Sequence, residues 1–258
     1  MCSSLKKRMW EAIRCTRHNL LHLKIFHLRY DGKVWHVTDR EGLHLEFTFY
    51  PYRVFYEIEG YLRQGAWCLE EGMTVIDGGA CYGEFSIYAS KKVGKSGRVL
   101  MLEPDLANIR QAEKYFALIG GKPQNVEIVP AGLWKTNGVL KFAAGLGSAS
   151  SVIEAGQEVP PDCHLTEIPV ESLESLAQKY NLSRLDLVKL DIEGAEVEVV
   201  ETSANIVKRF HPKFSIASYH LRGTRKTSEI ITPLFHDLSY HVQTGFPVHQ
   251  TTWAAPIA

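Results

Sequence analysis

Three acids stand close together in the stretch LVKLDIEGAEVEVV, where an apolar run ends: Asp191, Glu193 and Glu196. Carboxylates in such a place can act as general bases or hold a cation. They can also simply favour the start of the helix that follows, whose dipole welcomes negative charge. The choice depends on what stands beside them. Asp77 and Glu103 end two other short apolar runs, and the pair Tyr219-His220 closely follows a third. Histidine changes charge near neutrality, so His220 among carboxylates suits proton transfer. Asp191, Glu193 and His220 would also suit a divalent metal by ligand type. No dedicated metal-binding spacing accompanies them, and no resident metal is expected.

These residues need elements to position them. From residue 72 onward, short apolar runs alternate with helical patterns, the mark of βαβ units and a mostly parallel sheet. The runs are MTVI (73–76), RVLML (98–102), VEIVPA (126–131), LDLVKL (185–190) and FSIAS (214–218). Helices are expected at 84–93, 105–119, 172–180, 196–208 and 226–237. LWKTNGVLKFA reads as an inserted hairpin turning at Asn137-Gly138. The tail YHVQTGFPVHQTTWA reads as two further strands joined around Gly245-Phe246-Pro247. In open α/β sheets ligands bind beyond the carboxyl ends of the strands. Asp77, Glu103, Gly132, Asp191 and Tyr219-His220 would therefore meet on one edge.

The first of these ends is VIDGGACYGEF, a strand running into a glycine-rich turn with a helix after it. Gly78, Ala80 and Gly83 fit the small-residue positions of a dinucleotide fingerprint, and Glu103 follows at about the offset of its ribose acid. Asp77 argues against an anionic pyrophosphate beside it. The cationic amino group and sulfonium of S-adenosylmethionine would welcome that acid. Gly79 and Gly83 would let the backbone approach such a ligand. Glu103 can accept from both ribose hydroxyls. The third strand end carries no side-chain acceptor, so adenine recognition would fall to backbone groups of Ala131 and Gly132. Trp134 is better explained as packing under the insert than as a cover for the ring.

The motifs VIDGGACYGEFSIYA, VLMLEPD, GSASSV, IPVESL and LDLVKLDIEGAE make residues 72–254 resemble a class I S-adenosylmethionine-dependent methyltransferase of the FkbM family. The resemblance implies an α/β, Rossmann-like fold: a mostly parallel seven-stranded sheet, helices on both faces and a reversed C-terminal strand. It implies cofactor contacts at Asp77, Gly79, Gly83 and Glu103, with Pro104 of VLMLEPD alongside. It also implies O-methylation of a hydroxyl on a sugar or another small molecule. An RNA or protein acceptor recruited by the basic N-terminus is one alternative, and an NAD-linked oxidoreductase or epimerase is another.

A hydroxyl acceptor needs a base, because a free alcohol is a weak nucleophile. Asp191, Glu193 and His220 are the candidates, His220 having the most suitable ordinary pKa. The alternative assigns Asp191 to the cofactor's amino group and Glu193 to orienting the acceptor. Glu196 falls inside the expected helix and is left out of the site. Val197, Val200 and Val207 form that helix's buried stripe, with Glu198 and Glu201 on its solvated face. Arg222, Arg225 and Lys226 read as an exposed loop, and His249 as a wall of the acceptor pocket.

The chain holds 29 basic and 29 acidic residues, a neutral balance that argues against a protein devoted to nucleic acid. Its five cysteines are scattered, without a CxxC pair, as expected for reduced thiols in a cytoplasmic protein. No run approaches a membrane span, and the basic N-terminal stretch lacks an unbroken apolar core. That stretch is expected to form a helix packing Leu5, Trp10, Ile13 and Leu20 on the body of the protein. With the hairpin VWHVT–LHLEFTFY and a short helix over 53–64, it makes an N-terminal extension, 1–65, before a cofactor-binding domain, 66–258. A small-molecule or glycan acceptor is the expected partner, and a homo-oligomer stays open.

Overall fold

The computed structural model describes residues 2–153, 159, 163–246 and 249–257, without the side chains of 2–5, 7 and 8. The chain divides into two units, one of residues 1–68 with 118–120, the other of 69–117 with 121–258.

In the first unit, helix α1 (Cys2–Leu21) precedes strands β1 (Phe26–Tyr30), β2 (Trp35–Asp39) and β3 (His44–Phe47), and helix α2 (Tyr52–Tyr61) follows. The strands form an antiparallel sheet in the order β1-β2-β3. The expected hairpin is β2-β3. Strand β1 comes from the end of the segment read as basic helix. Alternation places Trp35, Val37, Leu45 and Phe47 in the core with Phe55 and Ile58 of α2. The turn from α1 into β1 is tied down by Glu59, which is fully buried. Its carboxylate accepts from the backbone N–H groups of Lys24, Ile25 and Phe26 at 2.7–2.9 Å.

Helix α1 corrects one expectation. Trp10, Ile13 and Leu20 are exposed, at 62%, 50% and 71%. The helix packs instead through Cys15, His18 and Asn19. His18 stacks on Tyr52 with ring centroids 3.6 Å apart, and the Asn19 amide bonds both backbone groups of Leu28. Leu5 lies outside the described side chains.

The second unit opens with β4 (Thr74–Gly78), α3 (Glu84–Val93), β5 (Arg98–Leu102), α4 (Leu106–Leu118) and β6 (Val126–Val129). An insert follows, with β7 (Gly132–Leu133), β8 (Gly138–Ala144), β9 (Ser151–Val152) and β10 (His164–Glu171). Then come α5 (Leu173–Lys179), β11 (Leu187–Leu190), α6 (Glu196–Glu201), α7 (Ala204–Phe210) and β12 (Lys213–Ala217). The chain closes with β13 (Leu221–Arg222), β14 (Arg225–Lys226), α8 (Thr227–Asp237), β15 (Tyr240–Gly245) and β16 (Thr251–Pro256).

The central sheet has seven strands in the order β15-β16-β12-β11-β4-β5-β6, and β16 runs antiparallel to both its neighbours. This is the class I methyltransferase sheet with its reversed last strand. Ile76, Leu100, Leu102, Val188 and Leu190 bury one face against α5, α6, α7 and α8. Helix α3 covers the other face over β4 and β5.

Two expectations change. The insert is not a local hairpin: β10 lies between β7 and β8, parallel to the first and antiparallel to the second. The helix expected over 196–208 breaks into α6 and α7 at Thr202-Ser203. The turn at Pro247 lies outside the described residues.

Candidate active site at the carboxyl edge of the sheet

A cavity opens beyond the carboxyl ends of β4, β5 and β11. Gly79, Glu103, Pro104, Gly132, Asp191 and Glu193 line it. Cys81, Asn108 and the serine-rich loop line it too, through Gly147, Ser148, Ser150 and Ser151, while Phe142, Ile168 and Ile192 supply an apolar wall. Two lining residues, Cys81 (φ 50°) and Glu193 (φ 54°), hold left-handed backbone without being glycine. Such strain costs on the order of 1–3 kcal/mol and clusters at functional sites.

Asp77 does not line this cavity. It is fully buried beneath the glycine turn, where register sets it beside Lys189 of β11. Lys189 Nζ lies 3.0 Å from Asp77 Oδ1, and the Ser86 hydroxyl of α3 donates to Asp77 Oδ2 at 2.6 Å. Lys189 also donates to the Gly79 carbonyl at 2.9 Å and to that of Gly78 at 3.3 Å. Burial alone would lower the lysine pKa, but Asp77 and Asp191 outweigh it and raise it, so the ammonium keeps its proton. The acid at the first strand end thus fixes the turn through a lysine that the apolar run LVKL concealed. Gly79 is required for a related reason: a Cβ there would collide with the Asp191 carbonyl oxygen, so the close approach is to β11's own chain.

Glu103 is nearly buried. Its Oε2 accepts from the Cys81 backbone N–H at 2.8 Å, and Oε1 accepts from the Asp105 N–H at 2.9 Å and from the Asn108 amide at 3.2 Å. Burial pushes its pKa up to about 7 against these donors. Asn108 also donates to the Gly147 carbonyl, and Asp105 Oδ2 accepts from Gly145 N–H and the Ser150 hydroxyl. Helix α4 therefore holds the serine-rich loop against the cavity.

Beyond β11 and β12, His220 sits among carboxylates. Its Nδ1 is 3.1 Å from Glu196 Oε1, and its Nε2 is 3.5 Å from Glu193 Oε2 and 3.7 Å from Asp191 Oδ1. Burial alone would lower its pKa, but Glu193 and Glu196 outweigh it and raise it to about 10. His220 is therefore an imidazolium at neutral pH. The carboxylates around it move it away from the ordinary pKa on which its reading as a base rested. Asp191 goes the other way. Burial would raise its pKa, but His249, Lys189 and His220 hold it well below the usual carboxylate range. His249 Nε2 lies 3.6 Å from Asp191 Oδ2, with the Tyr219 ring edge-on to His249.

Glu196 and Glu198 are both buried, the second against the expectation of a solvated face. Glu196 accepts from the Ile192 N–H at 3.0 Å and faces His220. Glu198 meets the Arg222 guanidinium at 2.6 Å, so Arg222 is engaged rather than a free loop cation. Ligand atoms of Asp191, Glu196 and His220 all lie within 4.8 Å of one another, so a divalent cation could replace the proton on His220.

A model of the FkbM methyltransferase domain matches residues 77–242. The chain belongs to the FkbM methyltransferase family. Its structure resembles that of an FkbM methyltransferase from Methylobacillus flagellatus KT, with 19% identity and a TM-score of 0.53 over 76% of this chain and 47% of that one. The chain thus spans about half of that relative's length. A SAM-dependent methyltransferase from Aquifex aeolicus matches at 16% identity and a TM-score of 0.39, over 81% of this chain and 90% of that one. Fibrillarin from Aeropyrum pernix, solved with natively bound S-adenosyl-L-methionine, matches at 13% identity and a TM-score of 0.46, over 90% of this chain and all of that one. No sequence among curated proteins matches.

Within this FkbM domain, Gly78, Ala80, Gly83 and Ala131 are not among the residues that line the cavity. Gly78 packs against Leu133 and Leu190, and Gly83 starts α3 in left-handed backbone with Met101 close by. Trp134 packs with Phe142, Ile168 and Val170, as expected. Lys189 and Cys81 were missed. The serine-rich loop was legible as a family motif but not as a cavity wall. Among the described residues, no helix is long and apolar enough to cross a membrane.

Proposed function

We infer that this FkbM domain transfers a methyl group from S-adenosylmethionine to a hydroxyl oxygen of a small molecule, sugars included. The observation that carries this reading is the convergence of Glu103, Asp191 and Glu193 on one cavity with an apolar wall. The residues present suit the cofactor. Glu103 would take the ribose hydroxyls, Asp191 the ammonium, and the wall around Phe142 and Ile168 the adenine ring. Bound there, S-adenosylmethionine supplies a methyl group on a sulfonium centre, an already activated leaving group.

What remains for the chain is positioning and one proton. Asp191, kept ionised by the cations around it, fixes the amino acid end. Glu193 points from a strained turn at the cavity and is the group to orient the hydroxyl and take its proton. His220 holds Glu193 in place as a cation, assisted by Glu196. Asp77 acts at one remove, through Lys189 and the carbonyls of the glycine turn.

A second reading rests on α1, which exposes Trp10, Ile13 and Leu20 among basic residues. That face would suit recruitment of an RNA or protein acceptor. Replacing Lys6, Arg14 and Arg17 with Glu would then abolish acceptor binding and its salt dependence. A small-molecule enzyme would lose nothing.

Calorimetry tests the cofactor. S-adenosylmethionine should bind, and Asp191→Asn should weaken it about 10–100-fold. Binding of NAD in its place would overturn the reading.

A further inference from the structure

Away from the cavity, the first unit carries a second cluster of chemical groups. His36 lies on β2, directly opposite Glu46 of β3 in the register, and His44 is two residues from Glu46 along the same strand. Alternation puts all three on one face, while Trp35, Val37, Leu45 and Phe47 fill the other. Their atoms form a nearly equilateral triangle. His36 Nδ1 is 3.4 Å from His44 Nε2 and 3.4 Å from Glu46 Oε1, and His44 Nε2 is 3.3 Å from the same oxygen.

That spacing has a chemical meaning. Ligands bound tetrahedrally at about 2.0–2.1 Å stand about 3.3–3.4 Å apart, whereas right-angled neighbours in octahedral or square-planar sites stand about 2.9 Å apart. Two imidazoles and one carboxylate are a ligand set for zinc rather than for magnesium or calcium, which take oxygen. We propose that His36, His44 and Glu46 bind zinc(II), with a fourth position left for water or another ligand.

A fourth residue supports the assignment. Asp31 Oδ2 lies 3.0 Å from His36 Nε2, the pattern that fixes a metal-bound histidine in the tautomer with its other nitrogen free. Asp31 is itself held, since its Oδ1 accepts from the backbone N–H groups of Lys33 and Val34 at 2.8 and 3.0 Å. The outer ligand is in place before any metal arrives. The ion would tie β2 to β3, and through Asp31 to the β1–β2 turn, in a sheet of only three strands.

Cobalt(II) titration of the chelator-treated full chain tests this, because tetrahedral cobalt absorbs far more strongly than octahedral cobalt. Wild type and His220→Gln should both bind one equivalent with the intense spectrum, displaced by zinc. The His220→Gln control separates this site from the Asp191-Glu196-His220 cluster. His44→Ala should weaken binding by more than about 100-fold, and Asp31→Asn by about 10–100-fold. Glu46→Gln is the second ligand variant should His44→Ala lose its circular dichroism. Unchanged affinity in the ligand variants, or a wild type without the tetrahedral spectrum, would overturn the proposal.

Discussion

Lys189 Nζ and Asp77 Oδ1 lie 3.0 Å apart beneath the glycine turn, both nearly sealed from solvent. A buried pair of this kind is costly to break, because removing one partner strands the other charge. Lys189→Met should destabilise the protein by about 3–5 kcal/mol in urea unfolding. Adding Asp77→Asn should restore much of that loss, since no unpaired charge then remains.

Glu103 sets a pH dependence. With its folded pKa raised to about 7, the side chain is largely neutral below that pH and accepts poorly from ribose hydroxyls. Cofactor affinity should rise as pH increases through about 7 and then level off. For stability the sign is opposite. The folded state holds this proton more tightly than the unfolded chain, so Glu103's contribution is full at low pH and lost as pH rises through about 7. Glu103→Gln should flatten both dependences, measured by calorimetry and by thermal unfolding across that range.

His220 should titrate near 10 rather than near its ordinary value. Its contribution to stability is then fully present below about 6.5 and lost as pH rises through about 10. Nuclear magnetic resonance of the labelled imidazole reads this directly. His220→Ala should leave cofactor affinity unchanged and lower kcat by about 10–100-fold, because Glu193 loses the cation that holds it.

Glu59 should behave as a structural acid. It answers three backbone N–H groups at the turn into β1, and Glu59→Ala removes their acceptor, with the Phe26 N–H buried and the other two part-buried. A loss of about 1–3 kcal/mol in the first unit follows from the stranded Phe26 N–H, with less from the two part-buried groups. Hydrogen exchange at Lys24, Ile25 and Phe26 should accelerate in that variant.

The strands of the large sheet were legible because their apolar runs are local signals. RVLML became β5 over the expected residues, and the helix expected over 84–93 became α3. What stayed hidden depends on partners far along the chain. Nothing near LWKTNGVLKFA shows that β10 will separate β7 from β8. Lys189 read as one polar letter in an apolar run, because its partner stands at the end of another strand. Glu196 read only as part of a helix and Glu198 as its surface, and their partners His220 and Arg222 come in from beyond β12. Periodicity showed that α1 is two-faced but not which face would pack. The strand-end acids were found because the α/β pattern assigns them an edge. Their roles stayed among alternatives, since each depends on the charges that surround the acid.

If Glu193 takes the acceptor's proton, methyl transfer to oxygen depends on it. The direct measurement uses S-adenosylmethionine labelled with carbon-13 in its methyl group, a panel of hydroxyl-bearing acceptors, and resonance spectra of the products. Wild type should give an O-methyl carbon signal, and Glu193→Gln should lose about 100-fold or more in rate with cofactor binding intact. Transfer only to nitrogen or carbon, or an undiminished rate in Glu193→Gln, would contradict it.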